Sequence, residues 1–470
     1  MKKPIEETIT LSKIVGGGQA LGQLADGRKA FVWGGLPDET VSIRTSKVKS
    51  KFVEAVVTAV EKPSVQRVEP RDPESYLSTS PWQIMDFQSE QHYKAALIEE
   101  AFELHDIVLP GPIDVYSDGV EYGYRNKVEF SWYGNSVPAS TFSASEDSAF
   151  PAAVTQDKTG RQMAGNGSEQ AENVDEERHE TLDLAFFRRG SHGKVAVDGT
   201  SLARPEMNQL AQAIRDQLHA NGIKARELKT LMIRSDQSGN CVWQLYVKDK
   251  NANTLSEEQA QNLPAQGGEI IYSDPKSPAS VVTKRLASFG DTKLHDTVLD
   301  IPFSYVCEGF FQGNVPVYEQ SLRDMQEWID EKPVVDMYSG VGTIGFTIGG
   351  ENLTLVEVNK SAVDEMKRNR FELGKKATVV EASAETSLDY ITGDATIILD
   401  PPRAGLHQAV IDRLLETAPE RIIYLSCNPV TQARDVALLA ETYGIRAHRG
   451  YNFFPRTPHI EHLVILDKKG

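Results

Sequence analysis

Cysteine is scarce in this chain. Its three residues, Cys241, Cys307 and Cys427, stand far apart along 470 positions. They supply neither a disulfide framework nor a metal-ligand spacing, and they fit a reducing compartment. Long apolar runs are missing too: nowhere do about 18 such residues follow one another, so no transmembrane helix is expected. The first residues, MKKPIEETIT, carry two lysines with no apolar stretch behind them, which does not read as a secretory signal. A cytoplasmic protein with no membrane partner is the expectation. Positive charge is also short. A net charge of −17 argues against nucleic-acid binding by the whole surface, because phosphates must be met by cations. Its distribution tells more than its sum. Residues 1–70 hold eleven Lys and Arg against eight Asp and Glu, whereas residues 134–180 hold nine acids against three bases.

What is present divides the chain into two or three domains. Residues 8–60 alternate β-branched segments with Gly16-Gly17-Gly18, Gly27 and Gly34-Gly35, the pattern of a small β-barrel spanning 1–63. Arg44, Lys47, Lys49 and Lys51 form a basic stripe beside Phe52. A solvated strand edge explains that stripe as well as a nucleic-acid grip does. Residues 61–75 carry three prolines and read as a linker. A helix over 87–104, a strand over 122–133, a helix near 206–220 and strands near 229–234 and 242–248 make 64–300 a linker with a central α/β domain. Within it, residues 134–180 have few large apolar side chains and read as a disordered insertion. From 301 to 470, VVDMYSG, LTLVEVN, ATVVEAS, ATIILDPPR and RIIYLSCNP each place an apolar strand before a polar turn. Helical stretches between them imply a Rossmann-like parallel sheet with its ligands at the carboxyl ends of the strands.

Four constellations carry chemistry. In VVDMYSGVGTIGFTIG (334–349) a strand ends at Asp336, and Gly340, Gly342 and Gly345 follow. Glycines there let the backbone pass close to a ligand. A second strand ends in Glu357, whose carboxylate can accept from two ribose hydroxyls. Any Rossmann-like nucleotide site offers the same. The departure from GxGxxG and the C-terminal position favour S-adenosylmethionine over a dinucleotide. In LDPPRAGL (399–406), two prolines hold the turn after Asp400 extended. That suits recognition of a planar base, although a bare turn would look alike. In YLSCNPVTQARD (424–435), Cys427 ends a strand before a helix, where the macrodipole should lower its pKa. Against this stands the plain reading of a small buried hydrophobe. In FFPRTPHIEHLVIL (453–466), Glu461 lies between His459 and His462 as a candidate general base. The two histidines lack a third ligand, so no metal is expected.

GFFQGN (309–314), DMYSGVG (336–342), DPPR (400–403), SCNP (426–429) and FPRTPHIEHLVIL (454–466), in this order, resemble the RNA uracil-5 methyltransferase family. The resemblance covers nearly the whole chain. It implies a C-terminal class I methyltransferase domain that uses S-adenosylmethionine, and structured RNA as partner. The N-terminal GGGQALGQLADGRKAFVWGGLPDETV resembles a TRAM domain, an OB-type RNA-binding barrel. By resemblance Gln312, Tyr338, Gly340, Glu357 and Asn359 line the cofactor site, and Asp400 faces both cofactor and uracil. Cys427 is the nucleophile and Glu461 the base. Phe52 and Trp33 are candidates for stacking on RNA. Many members hold an iron–sulfur cluster through four cysteines. Here RDPESYLSTSPWQIMDF and VAVDGTSLARP have none, and Asp72-Pro73 stands where a Cys-Pro is expected, so no cluster should bind. Packing around Trp82 is expected to replace it.

Two competing readings remain. An RNA cytosine-5 methyltransferase would share cofactor and nucleophile, but SCNP with HIEHL points to uracil. A non-catalytic RNA-binding factor is disfavoured by intact Asp400, Cys427 and Glu461. The barrel tilts the substrate toward 23S rRNA over tRNA by analogy, and a monomer is the default.

Overall fold

The computed structural model describes residues 4–138, 178–191 and 193–470. Five strands, Glu6–Ile14, Ala20–Gln23, Lys29–Trp33, Thr40–Val48 and Phe52–Lys62, close into a barrel. Alternation drives the closure: Val41 and Ile43 are buried while Ser42 and Arg44 face outward. Barrel closure also removes free strand edges.

A seven-stranded sheet forms the middle of the chain. It contains Lys127–Tyr133, Leu228–Ser235, Cys241–Val247 and Gly267–Tyr272, with the helix Pro205–Ala220 packed against it. The strand expected over 122–133 begins only at Lys127; Tyr124 and Asn126 turn inward and bond to distant loops instead. Of the insertion expected over 134–180, a short pairing of Ser136–Pro138 with Arg178–Glu180 is described, and residues 139–177 lie outside the described residues.

The C-terminal sheet has eight strands. Ala377–Glu381, Leu353–Glu357, Val334–Met337, Thr396–Leu399 and Arg421–Ser426 run parallel in that spatial order. Glu461–Lys468 and Tyr443–Tyr451 then continue the sheet through antiparallel pairings. Successive side chains feed two different cores. Ile397, Leu399, Ile422 and Tyr424 enter one, and Ile398, Ile423 and Leu425 the other. A sheet covered on both faces needs apolar residues at every position, which is why these strands read as unbroken apolar runs.

Two elements from the segment ahead of the central sheet join this C-terminal unit. The helix Phe87–Glu103 packs on the helix Pro429–Leu439, and Val115–Tyr116 extends the sheet beside Tyr443–Tyr451. The barrel core and one core of the C-terminal sheet merge around Trp82, Ile84 and Met85. Among the described residues no helix is long and apolar enough to cross a membrane.

Candidate active site

The parallel strands deliver their last residues to one edge of the sheet. A cavity of about 860 Å³ opens there, lined by Gln312, Tyr338, Gly340, Glu357, Asn359, Asp400, Cys427 and Glu461. The eight residues given catalytic or cofactor-binding roles in the sequence therefore line a single cavity. Asp336 lies just beneath, fully buried, with its carboxylate accepting from the Gly345 amide at 3.0 Å.

Local chemistry fixes the first half of the site. Tyr338, Gly340 and Gly342 all have left-handed backbone angles, with φ of 66°, 57° and 87°. A Cβ at Gly342 would sit 2.5 Å from the Phe346 ring, so only glycine serves there. A Cβ at Gly340 would meet nothing within 4 Å, which leaves its backbone open to a ligand. Glu357 accepts from the Gly340 amide at 2.9 Å and from the Asn359 amide at 2.7 Å. Its remaining lone pairs are available to hydroxyl donors. Asn359 caps the next helix, its side chain accepting from Ser361 and Ala362. Val358 and Phe310 stand 65% and 66% exposed beside it, an apolar flank of the kind a purine ring covers. This donor set fits a nucleoside-bearing cofactor.

The second half is acidic and titratable. Asp400 is pushed up to about 7 by the protein packed around it. Burial, and then the Asp400 charge, raise Glu461 well above the usual carboxylate range. Cys427 was expected to be acidic at a helix N-terminus. Instead burial, followed by Glu461 and Asp400, raises its thiol to about 11. The physical reason is position: Cys427 precedes the N-cap Asn428, and burial together with two nearby carboxyl groups outweighs the dipole. Arg403 opposes them, favouring the charged forms of both Cys427 and Glu461.

Sequence reasoning assigned no role to several residues that line this cavity, among them Arg403, His459, Phe454 and Tyr318. His459 accepts the Arg403 guanidinium at Nδ1, 2.9 Å away. Burial, then Arg403, lowers its pKa to about 4, so the ring is neutral and can accept. The DPPR turn is tied down by the following helix: Asn428 and Thr431 both donate to the Arg403 carbonyl, at 2.9 and 3.2 Å. Among the described residues no group of three or more His, Cys, Asp or Glu is arranged around a metal position.

The positions where a cluster would be held carry oxygen groups that satisfy one another. Asp72 accepts from the Ser201 amide and hydroxyl, the Thr200 hydroxyl and the Gln83 amide, all between 2.9 and 3.1 Å. Such a set does not fit an iron–sulfur cluster, which needs thiolates. Packing around Trp82 was expected to fill this role. Trp82 is buried, but it also donates to the Gly18 carbonyl and to the Arg456 carbonyl, and the replacement is a polar knot.

Outside the cavity, the stripe Arg44, Lys47, Lys49 and Lys51 is exposed on the barrel. Lys47 pairs with Glu54 at 2.8 Å. Trp33 stacks under Arg189, whose guanidinium lies 4.1 Å from the ring, and Phe52 meets Phe31 edge to face.

Residues 386–469 match the family described as tRNA (Uracil-5-)-methyltransferase. Two proteins described as uncharacterized RNA methyltransferases are similar along the whole length. That of Nitratidesulfovibrio vulgaris is 24% identical, covering 98% of this chain and 96% of its own. That of Fusobacterium nucleatum is 25% identical, covering 98% and 95%. Among solved structures, the Pyrococcus abyssi tRNA (uracil-54, C5)-methyltransferase in complex with S-adenosyl-L-homocysteine superposes with a TM-score of 0.73. It is 20% identical and covers 98% of this chain and 100% of that one, which establishes a shared fold.

Proposed function

We propose that this chain, whose residues 386–469 match the family described as tRNA (Uracil-5-)-methyltransferase, transfers a methyl group from S-adenosylmethionine to C5 of a uridine in structured RNA. Cys427 attacks covalently and Glu461 is the base. One observation carries this reading: Cys427, Asp400 and Glu461 share a cavity with the Gly340–Glu357 cradle, so thiol, acids and methyl donor can meet one base.

When bound, S-adenosylmethionine supplies an electrophilic methyl and a positive sulfonium charge. Gln312, Tyr338, Gly340, Glu357 and Asn359 are the residues we assign to hold it, with Asp400 facing both it and the uracil. The side-chain chemistry then follows in order. Cys427 gives up its proton to solvent and attacks as the thiolate: its sulfur bonds to C6 of the uracil, the C5–C6 π pair shifts into an enolate, and C5 can then take the methyl. Glu461 removes the C5 proton, the C5–C6 double bond reforms, and the Cys427 sulfur leaves. Covalent attack divides one difficult substitution into easier steps. Burial holds all three acids toward their protonated forms, and Arg403 favours the charged forms of Cys427 and Glu461. The target base must leave its stack to enter the cavity. Arg189 on Trp33, Phe52 and the barrel cations supply a basic, aromatic surface of the type that holds single-stranded RNA. A cytoplasmic location goes with this proposed action on RNA, and a monomer is the state we propose by default.

We favour 23S rRNA as substrate because of the barrel. A specific observation supports tRNA as second reading: the Pyrococcus tRNA enzyme matches 98% of this chain, barrel included. Nucleoside mass spectrometry on separated rRNA and tRNA from cells lacking the gene decides between them. The expected result is loss of 5-methyluridine from rRNA, restored by the wild type and not by Cys427→Ala. Loss from tRNA moves the substrate, and loss of 5-methylcytidine overturns the uracil assignment.

A further inference from the structure

The turn that delivers Glu461 is built from groups that lie far away in sequence. Residues Asn452–Arg456 precede the final strand, and Phe454 and His459 line the same cavity as Glu461. Four consecutive backbone groups of this turn are taken up from outside. The Phe454 carbonyl accepts from Lys94 Nζ at 3.2 Å, and the Pro455 carbonyl accepts from the Tyr124 hydroxyl at 2.9 Å. The Arg456 amide donates to both oxygens of Glu90 at 3.0 and 2.9 Å. The Arg456 carbonyl accepts from the Trp82 amide at 3.1 Å.

Two charges lie at the centre of this arrangement. Glu90 and Lys94, one turn apart on the helix Phe87–Glu103, are both fully buried and 3.0 Å apart. Lys94 also donates to Asn452 Oδ1 at 2.5 Å, and Asn452 Nδ2 donates to Glu90 at 2.9 Å. Arg456 completes the set. Its backbone is left-handed, with φ of 64°, a conformation that a long side chain adopts only when its surroundings impose it. Its guanidinium reaches the Met85 carbonyl and the Glu121 carboxylate.

Buried ion pairs are a poor means of stabilising a fold, since apolar residues of equal volume do as well or better. They do specify one geometry among several. Here every bond of the pair that leaves its own helix goes to Asn452, Phe454 or Arg456. From these observations we infer that Glu90 and Lys94 are positioning residues for methyl transfer, holding the 452–456 turn so that Glu461 and His459 face the cavity. This rests on Glu461 being the base.

The test uses the full chain, tritiated S-adenosylmethionine and bulk RNA from a strain lacking the gene. Lys94→Met and Glu90→Gln are compared with Lys94→Arg, Glu461→Gln and the wild type. The expected result is a ten- to hundredfold fall in kcat for Lys94→Met and Glu90→Gln. KM for S-adenosylmethionine should stay within twofold, and Lys94→Arg should recover part of kcat. A lowered melting temperature with unchanged kcat would show the pair to be structural only and overturn the inference. If Lys94→Met does not fold, Tyr124→Phe removes one bond to the same turn. It should lower kcat three- to tenfold, and an unchanged kcat overturns the inference. Full turnover in Glu461→Gln defeats the base assignment; full turnover in Lys94→Met beside a dead Glu461→Gln defeats only the positioning role.

Discussion

The Arg403 guanidinium donates to Nδ1 of His459 across 2.9 Å, and this pair places a cation beside a thiol that burial and two carboxyl groups hold protonated. Arg403 favours the thiolate of Cys427 and the carboxylate of Glu461. Removing it as Arg403→Gln should raise the thiol further. About one unit is equivalent to roughly tenfold less thiolate at fixed pH. The check is the rate of covalent adduct formation with 5-fluorouridine-substituted RNA between pH 6 and 9. The alkaline limb of the variant should lie at higher pH than that of the wild type, and superimposed profiles would show that Arg403 does not act on the thiol.

Asp400 sets activity against stability. Its folded pKa, about 7, lies above its ordinary value of 3.8, so the folded chain binds a proton that the unfolded chain releases. Stability therefore falls as pH rises from about 4 to 7, and the loss is fully present above 7. Asp400→Asn should abolish methyl transfer yet stabilise the fold at pH 8, by on the order of 1–3 kcal/mol once water in the cavity is allowed for. Little should be gained at pH 4.5. Urea unfolding at the two pH values measures this, and equal shifts at both would contradict it.

The proposed role of the barrel cations is RNA binding and not the chemical step. Lys49 and Lys51 are exposed and are not among the residues that line the cavity. The double change Lys49→Glu/Lys51→Glu should weaken RNA binding and flatten the dependence of log Kd on log salt by about two, while kcat at saturating RNA stays the same. Binding titrations at several salt concentrations test it; an unchanged slope would leave the stripe a solvated edge.

Asp72 joins the segment before the long helix to the Thr200–Ser201 loop of the central domain, and accepts from Gln83 within its own segment. Asp72→Ala takes the acceptor from Thr200 and Ser201, while Gln83 keeps Ser80, and should cost about 2–4 kcal/mol in urea unfolding. Asp72→Asn keeps one acceptor oxygen and should cost less. Equal losses in both variants would mean that the carboxylate's hydrogen bonds contribute nothing beyond its shape.

Much of this architecture is legible in the chain itself. Met337, Glu357, Leu399 and Ser426 end strands whose apolar runs are unmistakable, because both sheet faces are covered. The turn residues beyond them then fall at one edge by topology alone. Other features are not legible for physical reasons. The acidity of Cys427 depends on how far burial and two carboxyl groups outweigh a helix terminus, and sequence spacing carries no burial. Lys94 and Asn452 meet across 358 positions, and no periodicity links them. Tyr124 and Asn126 sit in a segment whose alternation mimics a strand, yet their side chains reach the Pro455 and Gln312 carbonyls.

Gly18, in the barrel's first turn, lies so close to Pro458 that a Cβ there would come within 2.2 Å of the proline ring, and its carbonyl receives the Trp82 indole N–H at 2.9 Å. The barrel therefore abuts the turn that leads to Glu461, although none of its residues lines the cavity. Cutting it away would strip the support from a buried indole and uncover the loop three residues ahead of Glu461. A truncated enzyme would thus report lost affinity and lost geometry as one number. Exchanging barrels between relatives would need a seam drawn around Gly18, leaving that turn with the methyltransferase it abuts.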